Sequence, residues 1–245
     1  MLVPAPRVLV VVPAWNEAAA LPAVLAEIVA ALPGAGVVVV NDGSSDTTSA
    51  VARAAGVDVL DLPFNLGVGG AMRAGFRFAL LHGFDVVVQV DADGQHDPRD
   101  VSRLVAELGD ADIVIGARFA DQAGYRVRGP RWWAMRLLAA TLSRVARAQL
   151  TDTTSGFKAS GPRAVRLFAV HYPAEYLGDT VESLVIAARA GLRVTQIGVT
   201  MRQRAAGQPS HGPWKSAVYL MRAFLALLIA LTRRRVPVPA AGAAA

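Results

Sequence analysis

The chain has 245 residues, which is enough to bury one sizeable hydrophobic core, with or without a small appendage. Its net charge of +6 favours an anionic partner such as a phosphate, a nucleic acid or an acidic lipid surface. The lack of cysteine excludes disulfides, thiolate metal sites and a cysteine nucleophile, and it agrees with a reducing compartment. No secretory signal is predicted, because the first apolar run, Val8–Val12, is too short for one.

Short runs of valine and isoleucine alternate with helical stretches through the first half of the chain. The predicted strands are Val8–Val12, Val37–Asn41, Val57–Leu62, Val86–Val90 and Ile113–Gly116. The helices predicted between them are Ala18–Leu32, Thr47–Ala55, Gly70–His82 and Pro98–Leu108. This alternation predicts an α/β fold with a mainly parallel sheet flanked by helices. In such sheets the ligand binds at the carboxyl ends of the strands.

The second half of the chain opens with a basic stretch. Between Asp121 and Asp152 there is no acidic residue, but there are six arginines: Arg126, Arg128, Arg131, Arg136, Arg144 and Arg147. The later predicted elements are a helix over Arg131–Ala148, a polar turn over Asp152–Lys158, helices near Pro162–Val170 and Val181–Ala190, and a strand over Arg193–Thr200. We expect residues 1–212 to form one domain, because no long linker divides them.

The last predicted helix, Trp214–Arg235, is amphipathic. The apolar residues at helical spacing are Trp214, Val218, Met221, Leu225 and Leu228, and three arginines end the helix. A membrane-spanning helix needs roughly 20 predominantly apolar residues, and Arg222 interrupts this run. We therefore expect residues 213–236 to lie in the interface of an anionic membrane, followed by a disordered tail at 237–245. The competing prediction is that this helix packs on the protein core.

Two carboxylates directly follow the predicted strand Val86–Val90. Asp91 and Asp93 point the same way by alternation, and Gln95 adds an amide beside them. Neighbouring carboxylates repel each other unless a cation neutralises them. In proteins Mg²⁺ is held by one or two carboxylates, with substrate phosphates completing its shell. The pattern therefore favours a Mg²⁺ or Mn²⁺ site that bridges a diphosphate over a solvated acidic turn or a helix cap.

Other segments end strands or open helices at the same predicted edge of the sheet. Asp42 follows the second strand, where it can accept hydrogen bonds from a base or a ribose. Trp15 offers a stacking face for a base, whereas Glu17 is explained equally well by the dipole of the next helix. The glycine-rich turn at 65–73 follows the third strand, where it lets the backbone approach a nucleotide closely. A dinucleotide fingerprint belongs after the first strand, so this turn argues against an oxidoreductase.

Together these motifs resemble those of the family 2 glycosyltransferases with a GT-A fold, especially the dolichol- and polyprenyl-phosphate sugar synthases. The segments that carry the resemblance are Pro13–Glu17, Asn41–Asp46, Asn65–Ala71, Asp91–His96, Ile115–Arg118, Asp152 with Ser155–Lys158, and Met201–Arg204. The chain departs from the family at Gln208, because a lysine or arginine often follows the glycine at that place.

The resemblance implies a role for each matching residue. Contacts with a nucleotide sugar are implied for Pro13, Trp15, Glu17, Val40, Asp42, Asn65, Ala92, Lys158 and Arg202. The implied metal ligands are Asp91, Asp93 and Gln95. The implied grip on an acceptor phosphate comes from Arg118 and Arg131. The implied catalytic set is Asp91, Asp93, Asp152 and Arg118.

The implied reaction moves a sugar, with inversion, from a GDP- or UDP-linked donor to a polyprenyl phosphate at the membrane. A soluble hydroxyl acceptor would instead need a general base, for which Asp152 is the candidate. A metal-dependent nucleotidyltransferase and a non-catalytic binder are two further hypotheses, and the acidic crevice argues against nucleic acid as a partner. The expected location is the cytoplasm, peripheral on the inner face of the cell membrane, and a separate membrane subunit is left open as a partner.

Overall fold

The computed structural model describes residues 5–118, 130–174, 179–202, 221, 225, 227–230, 232 and 235–240, with the main chain alone for 118 and 130–135. Within these residues the centre of the fold is a seven-stranded sheet of order β3-β2-β1-β4-β6-β5-β7. The strands are β1 (Val8–Ala14), β2 (Gly36–Asn41), β3 (Asp58–Asp61), β4 (Val86–Gln89), β5 (Ile113–Arg118), β6 (Lys158–Ser160) and β7 (Val194–Val199).

Helices flank this sheet on both faces. They are α1 (Leu21–Ala31), α2 (Thr48–Ala54), α3 (Gly67–Leu81), α4 (Val101–Ala106), α5 (Pro130–Ala146), α6 (Pro162–His171) and α7 (Asp179–Arg189). A short 3-10 turn, Pro98–Asp100, leads into α4 and is capped by Asp97, whose side chain accepts a hydrogen bond from the main-chain N–H of Arg99. The mainly parallel α/β fold that the sequence predicts is confirmed, because every strand pair except those of β6 is parallel.

Successive side chains of the central strands point into two hydrophobic clusters. Leu9 and Val11 of β1 pack in one cluster with residues of α3, α6 and α7. Val10 and Val12 pack in the other cluster with residues of α1 and α4. Both faces of β1 are therefore covered, which explains why its sequence is a continuous apolar run rather than an alternating one.

Strand β6 is the element that the sequence does not predict. The three residues Lys158–Ser160 lie between β4 and β5 and run antiparallel to both. The sequence pattern assigns Lys158 to the end of a polar turn, whereas the structure makes it the first residue of a strand opposite Gln89. A strand this short has no periodicity of its own, and its pairing partners are far away in the chain.

The described residues of the predicted C-terminal helix are helical at 221, 225, 227–230 and 232. Leu227 and Ala230 are buried in the same hydrophobic cluster as α3 and α7, whereas Met221, Leu225 and Leu228 are exposed. Part of this segment therefore packs on the protein core, while apolar side chains also face outwards. The membrane-interface prediction for 213–236 mostly concerns residues outside those described, including Trp214 and Val218.

The chain beyond this helix is described as far as residue 240. Val238 packs against the same cluster, and Nε of Arg166 donates to the carbonyl oxygen of Pro239 at 3.1 Å. These contacts bring residues 236–239 back onto α6. In the part of the chain that the structure describes, no helix has the length and apolar character needed to cross a bilayer.

Candidate active site

A crevice of about 760 Å³ lies at the carboxyl ends of the strands. The residues that line it come from the ends of β1, β2 and β4, from α3, from the loop before β6 and from the start of α7. They are Pro13, Ala14, Trp15, Glu17, Asp42, Asn65, Gly67, Val68, Ala71, Gln89, Asp91, Ala92, Asp93, Thr154, Gly156, Asp179 and Thr180. The place is the one that strand order and parallel topology predict for a ligand.

The loop after β1 holds an aromatic side chain out towards the crevice. Trp15 is 55% exposed, although it is a large apolar residue. The next residue, Asn16, has a φ of 55°, and its side-chain oxygen accepts a hydrogen bond from the N–H of Ser45 at 2.9 Å. In return, the N–H of Asn16 donates to Oγ of Ser44 at 2.9 Å. The loops after β1 and β2 are thus fastened together, which fixes the backbone from which Trp15 projects.

Asp42 connects the end of β2 to the glycine-rich turn. It is almost completely buried, and its Oδ1 accepts a hydrogen bond from the N–H of Leu66 at 2.7 Å. Burial raises the pKa of the Asp42 carboxyl, while hydrogen bonds from the main chain of Leu66 and Gly67 lower it. One oxygen of this carboxylate therefore positions the start of α3.

The first turn of α3 forms one wall of the crevice. Gly67, Val68 and Ala71 line it, and the whole of α3, from Gly67 to Leu81, has 15 residues. The N-terminus of a helix carries partial positive charge and unpaired N–H groups, which favour an anion such as phosphate. A Cβ on Gly69 would lie 2.3 Å from the carbonyl oxygen of Pro173, so only glycine lets α3 approach the segment before α7 this closely.

Asp91 and Asp93 both line the crevice, as the sequence predicts for residues that follow β4. Oδ1 of Asp91 accepts a hydrogen bond from Nε2 of Gln89 at 2.9 Å. Oδ1 of Asp93 accepts one from the N–H of Gln95 at 3.0 Å, across a turn in which Gly94 has a φ of 78°. These hydrogen bonds orient the two carboxylates on the turn after β4. Gln95 itself contributes its main chain to the turn and is not among the crevice-lining residues.

The turn that carries these acids is fixed from behind by His96. This side chain is buried and stacks on the ring of Phe157, with 4.7 Å between the ring centres and 13° between their planes. The backbone of His96 also forms an isolated β-bridge with Met201, and the N–H of Arg202 donates to the carbonyl oxygen of Gln95 at 2.9 Å. Elements from three distant parts of the sequence therefore meet at the acidic turn.

Lys158 lies beneath the crevice rather than on its surface. Its side chain is only 6% exposed and lines a small enclosed cavity with Gln89, Tyr172 and Ser183. Burial lowers the pKa of Lys158 to about 8, while the negative charges of Asp179 and Asp91 raise it. The positive charge of Lys158 thus acts on two crevice carboxylates from below, and contact with a donor phosphate would require it to move.

Arg202 is engaged with acidic side chains on the outer side of the acidic turn. Its guanidinium contacts Oε2 of Glu27 in α1, and it lies 3.0 Å from Oδ2 of Asp97. Asp97 also pairs with Arg99. In this arrangement Arg202 fastens the end of β7 to α1 and to the turn, and it does not line the crevice.

The remaining predicted site residues have different placements. Oδ1 of Asp152 accepts hydrogen bonds from the N–H and the hydroxyl of Thr154, at 3.3 and 3.1 Å, within the loop whose later residues line the crevice. Val40 is fully buried in β2, directly before the crevice. Arg118 is the last residue of β5, and its side chain, like that of Arg131, lies outside the described residues.

The structure adds crevice residues to which the sequence analysis assigned no role: Gln89, Thr154, Gly156, Asp179 and Thr180. Gly156 stands within the Ser155–Lys158 segment that carries the family resemblance. Gly156 lies close to Asp91, because a Cβ on it would lie 2.7 Å from Nε2 of Gln89 and 3.1 Å from Oδ2 of Asp91. Asp179 is an acid in the first turn of a helix, a pattern shared by many capping residues. No feature of its local sequence distinguishes it.

The oxygen ligands at the crevice suit a hard divalent cation that binds together with an anionic substrate. Among the described residues no group of three or more histidine, aspartate or glutamate side chains is arranged to hold a metal ion. Asp91 and Asp93 supply two carboxylates at the crevice, and Mg²⁺ usually takes one or two, with water and phosphate oxygens as its other ligands. The residues present therefore fit a Mg²⁺ or Mn²⁺ ion that is completed by a diphosphate.

Comparisons with known proteins agree with this geometry. The family model described as glycosyl transferase family 2 matches residues 9–171. The chain is 37% identical over 212 residues to the undecaprenyl-phosphate mannosyltransferase of Micrococcus luteus, covering 82% of this chain and 86% of that protein. It is 35% identical over 168 residues to the polyprenol monophosphomannose synthase of Mycolicibacterium smegmatis, covering 64% of this chain and 62% of that protein.

Solved structures share the fold. Glucosyl-3-phosphoglycerate synthase from Mycobacterium tuberculosis, solved with Mn²⁺, uridine-diphosphate-glucose and phosphoglyceric acid, superposes with a TM-score of 0.69. That alignment covers 96% of this chain and 88% of the solved one, at 23% sequence identity. The same enzyme with phosphoglyceric acid alone gives a TM-score of 0.70 at 22% identity, covering 92% and 80%. The GT-A-like arrangement expected from the sequence is therefore confirmed at the level of the fold.

Proposed function

The chain belongs to glycosyl transferase family 2 and is a glycosyltransferase, and from this premise we propose that it moves a sugar from a nucleoside diphosphate sugar to a polyprenyl phosphate. The observation that carries the proposal is the joint placement of Trp15, the first turn of α3 and the Asp91–Asp93 pair in one crevice. An aromatic face, a helix N-terminus and a carboxylate pair match a base, a diphosphate and its counter-ion, in that order.

The donor would be held by residues whose chemistry suits its parts. Trp15 supplies a stacking face for the base, and the backbone behind it is fixed by the hydrogen bonds between Asn16 and the loop after β2. The first turn of α3 presents N–H groups to the phosphates. Asp91 and Asp93 would hold a Mg²⁺ or Mn²⁺ ion, which when bound stabilises the leaving nucleoside diphosphate as a Lewis acid.

Two observations support a lipid phosphate as the acceptor: the arginines of the sequence and the names of the related proteins. A lipid phosphate is already a nucleophile, so it can attack the anomeric carbon from the face opposite the leaving group without a strong base, and the configuration inverts. Arginine can clamp a phosphate with two parallel hydrogen bonds, and the sequence supplies Arg118 and Arg131 for this purpose. The names of the Micrococcus and Mycolicibacterium relatives both specify a polyprenyl-type acceptor.

A membrane surface would bring the enzyme to such an acceptor. Met221, Leu225 and Leu228 are exposed apolar side chains at helical spacing, and Arg233–Arg235 follow them in the sequence. Apolar side chains beside arginines suit the interface of an anionic membrane. Under this proposal residues 1–212 form the catalytic domain, residues 213–236 attach it peripherally to the inner face of the cell membrane, and 237–245 follow as a tail.

The proposal is tested by incubating the protein with UDP- and GDP-linked glucose and mannose, Mn²⁺ and a polyprenyl phosphate, and by measuring which phosphate product is released. Release of nucleoside diphosphate together with a glycosylated lipid phosphate is expected. Asp91→Asn and Asp93→Asn should abolish most of it, whereas Asp100→Asn, directly before α4, should leave it unchanged.

Different products would contradict the proposal in distinct ways. Release of pyrophosphate would indicate a nucleotidyltransferase. Transfer to a soluble hydroxyl compound with no requirement for lipid phosphate would identify a different acceptor class and make Asp152 the candidate base. No release from any donor would indicate a binding protein.

A further inference from the structure

The order of the strands arranges the parts of a bound donor along the crevice. The ends of β2 and β1, at one flank, carry Asp42 and Trp15, which suit the nucleoside. The next strand, β4, carries Asp91 and Asp93, which suit the diphosphate and its cation. The loop before β6, with Thr154 and Gly156, lies on the other flank of β4. With the nucleoside and the diphosphate placed in this way, a sugar attached to the far phosphate would lie on the β6 side of the crevice.

A further acid, Asp179, lines the crevice within electrostatic range of Lys158 in β6. Asp179 is the first residue of α7, is partly buried, and lines the crevice with Thr180. Its position is set by α3, because a Cβ on Gly69 would lie 3.1 Å from the Cβ of Asp179. The charge of Lys158 in β6 acts on both Asp179 and Asp91, so both acids lie within electrostatic range of that buried ammonium.

The chemistry of a carboxylate limits what it can face in this place. An anionic group next to the diphosphate or to a phosphate acceptor is repelled by both. A neutral sugar ring instead offers several hydroxyl donors, and one carboxylate can accept two of them at once. Burial raises the pKa of Asp179 above its ordinary value, and the charge of Lys158 partly opposes this rise.

We propose that Asp179 is the residue that recognises the transferred sugar, by accepting hydrogen bonds from hydroxyl groups of the donor's hexose. This inference rests on the proposed function, since it needs a nucleotide sugar in the crevice. It gives the start of α7 a role in choosing between sugars. Trp15 and the acidic turn cannot make this choice, because the base and the diphosphate that they would bind are the same in every donor with that nucleotide.

A purely structural role for Asp179 makes a different prediction. An acid in the first turn of a helix interacts favourably with the helix dipole and can cap free N–H groups. Asparagine also caps helix N-termini well, so Asp179→Asn retains the capping oxygen and removes the charge. Asp179→Ala removes both. If capping were the whole role, Asp179→Ala would lower the melting temperature and Asp179→Asn would bind all ligands like the wild type.

The test compares ligands with and without the sugar. Binding of UDP, GDP and their glucose and mannose derivatives is measured by calorimetry with Mn²⁺ for the wild type, Asp179→Asn, Asp179→Ala and Asp112→Asn. Asp112 is the matched control. Like Asp179, which accepts a hydrogen bond from the main chain of Thr180, it accepts one from a main-chain N–H, that of Arg193 at 2.8 Å. It directly precedes β5, at the end of that strand away from the crevice. We expect Asp179→Asn to weaken the preferred nucleotide sugar about tenfold or more and to leave the nucleoside diphosphate nearly unchanged.

The outcomes separate the two proposals. Equal weakening of nucleoside diphosphate and nucleotide sugar in Asp179→Asn would overturn the sugar-binding role and indicate an effect on the cation or on the fold. Unchanged binding of both would overturn it as well. A wild type that binds none of the nucleotide sugars would overturn the proposed function, and this inference with it.

Discussion

The main-chain N–H of Asp91 donates to Nδ1 of His96 at 3.0 Å, and Nε2 of the same ring lies 3.6 Å from Oδ2 of Asp91. Because Nδ1 is the acceptor, a neutral ring carries its proton on Nε2, which therefore faces the carboxylate. One imidazole thus holds both the backbone and the side chain of the first acid of the pair. Under the proposed function Asp91 binds the cation, and a side chain that orients a metal ligand in this way tunes its affinity for the ion without touching the ion.

Replacing this histidine while keeping its stacking partner tests that role. His96→Phe preserves the ring on Phe157 but loses both nitrogen contacts with Asp91. We expect Mn²⁺ affinity, measured by titrating activity with the metal, to fall about 10- to 100-fold. His82→Phe is the matched control, since His82 also stacks on a phenylalanine, Phe78, at the far end of α3. An unchanged Mn²⁺ titration in His96→Phe would show that Asp91 does not depend on this contact.

Gly156 sets the distance between the loop before β6 and the acidic turn. In Gly156→Ala the new methyl group would overlap Nε2 of Gln89 and press on Asp91, so the carboxylate must shift. A displacement of about 1 Å at a reacting centre can cost about a hundredfold in rate. We therefore expect turnover to fall by about that factor while the thermal midpoint changes little. Gly109→Ala is the control, because a Cβ there meets nothing within 4 Å.

A stable fold with full activity in Gly156→Ala would contradict this prediction, because it would show that the loop can retreat without moving Asp91. Loss of folding in Gly156→Ala would be visible in the same thermal measurement and would show that the contact supports the whole sheet.

Asp61 should make stability depend on pH in the acid range. Its carboxylate accepts a hydrogen bond from Nδ2 of Asn41 at 2.7 Å and pairs with Arg53, and these contacts lower its pKa to about 2 from a usual 3.8. Because the folded-state pKa is lowered, the stabilisation is complete above about pH 4 and is lost as the pH falls towards 2. Stability falls with falling pH because Asp61 has the higher pKa in the unfolded chain, which therefore binds the proton more tightly than the folded protein does.

Urea denaturation of the wild type and Asp61→Asn measures this effect. The midpoint of Asp61→Asn should lie below that of the wild type at pH 7, and the difference should shrink as the pH approaches 2. Asp58→Asn, at the exposed start of the same strand, should match the wild type at pH 7. A difference for Asp61→Asn that is the same at pH 7 and at pH 2 would exclude the carboxylate as its source.

The exposed apolar residues of the C-terminal segment allow a sharper membrane test than truncation. Deleting the segment would also remove Leu227 and Ala230 from the core. The triple substitution Met221→Ser, Leu225→Ser and Leu228→Ser changes only exposed side chains, and it should weaken co-sedimentation with phosphatidylglycerol vesicles about tenfold or more.

The control for the membrane test is a pair of exposed apolar residues elsewhere, Val29→Ser and Leu81→Ser. This variant should sediment like the wild type. If the triple variant at 221, 225 and 228 also sediments like the wild type, the C-terminal helix does not attach the protein to the membrane.

Much of the fold follows from local sequence. The valine runs of β1, β2 and β4 predict buried parallel strands because each is apolar on both faces, and the structure confirms this arrangement. Strand β6 could not be predicted, since Lys158–Ser160 carries no apolar run and becomes a strand only by pairing with β4 and β5. Long-range pairing of this kind leaves no trace in a short window of sequence.

The candidate site was predictable where it depends on strand ends. The rule that ligands bind at the carboxyl ends of parallel strands places Trp15, Asp42 and Asp91 in one crevice, and the structure brings them together there. The rule does not predict which charged side chains interact with acids instead of lining the crevice. Lys158 is buried within electrostatic range of Asp179 and Asp91, and Arg202 pairs with Glu27 and Asp97. These carboxylates come from parts of the chain that only the tertiary fold brings near.

The position of β6 between β4 and β5 affects when the acidic turn can fold during synthesis. Until residues 158–160 emerge from the ribosome, one edge of β4 has no neighbour, and the turn that carries the two acids lacks the ring of Phe157 against which His96 stacks. The nascent chain therefore contains every acid of the turn long before it can hold them in place. The pairing and stacking that hold the acidic turn become available only after residues 157–160 have been made.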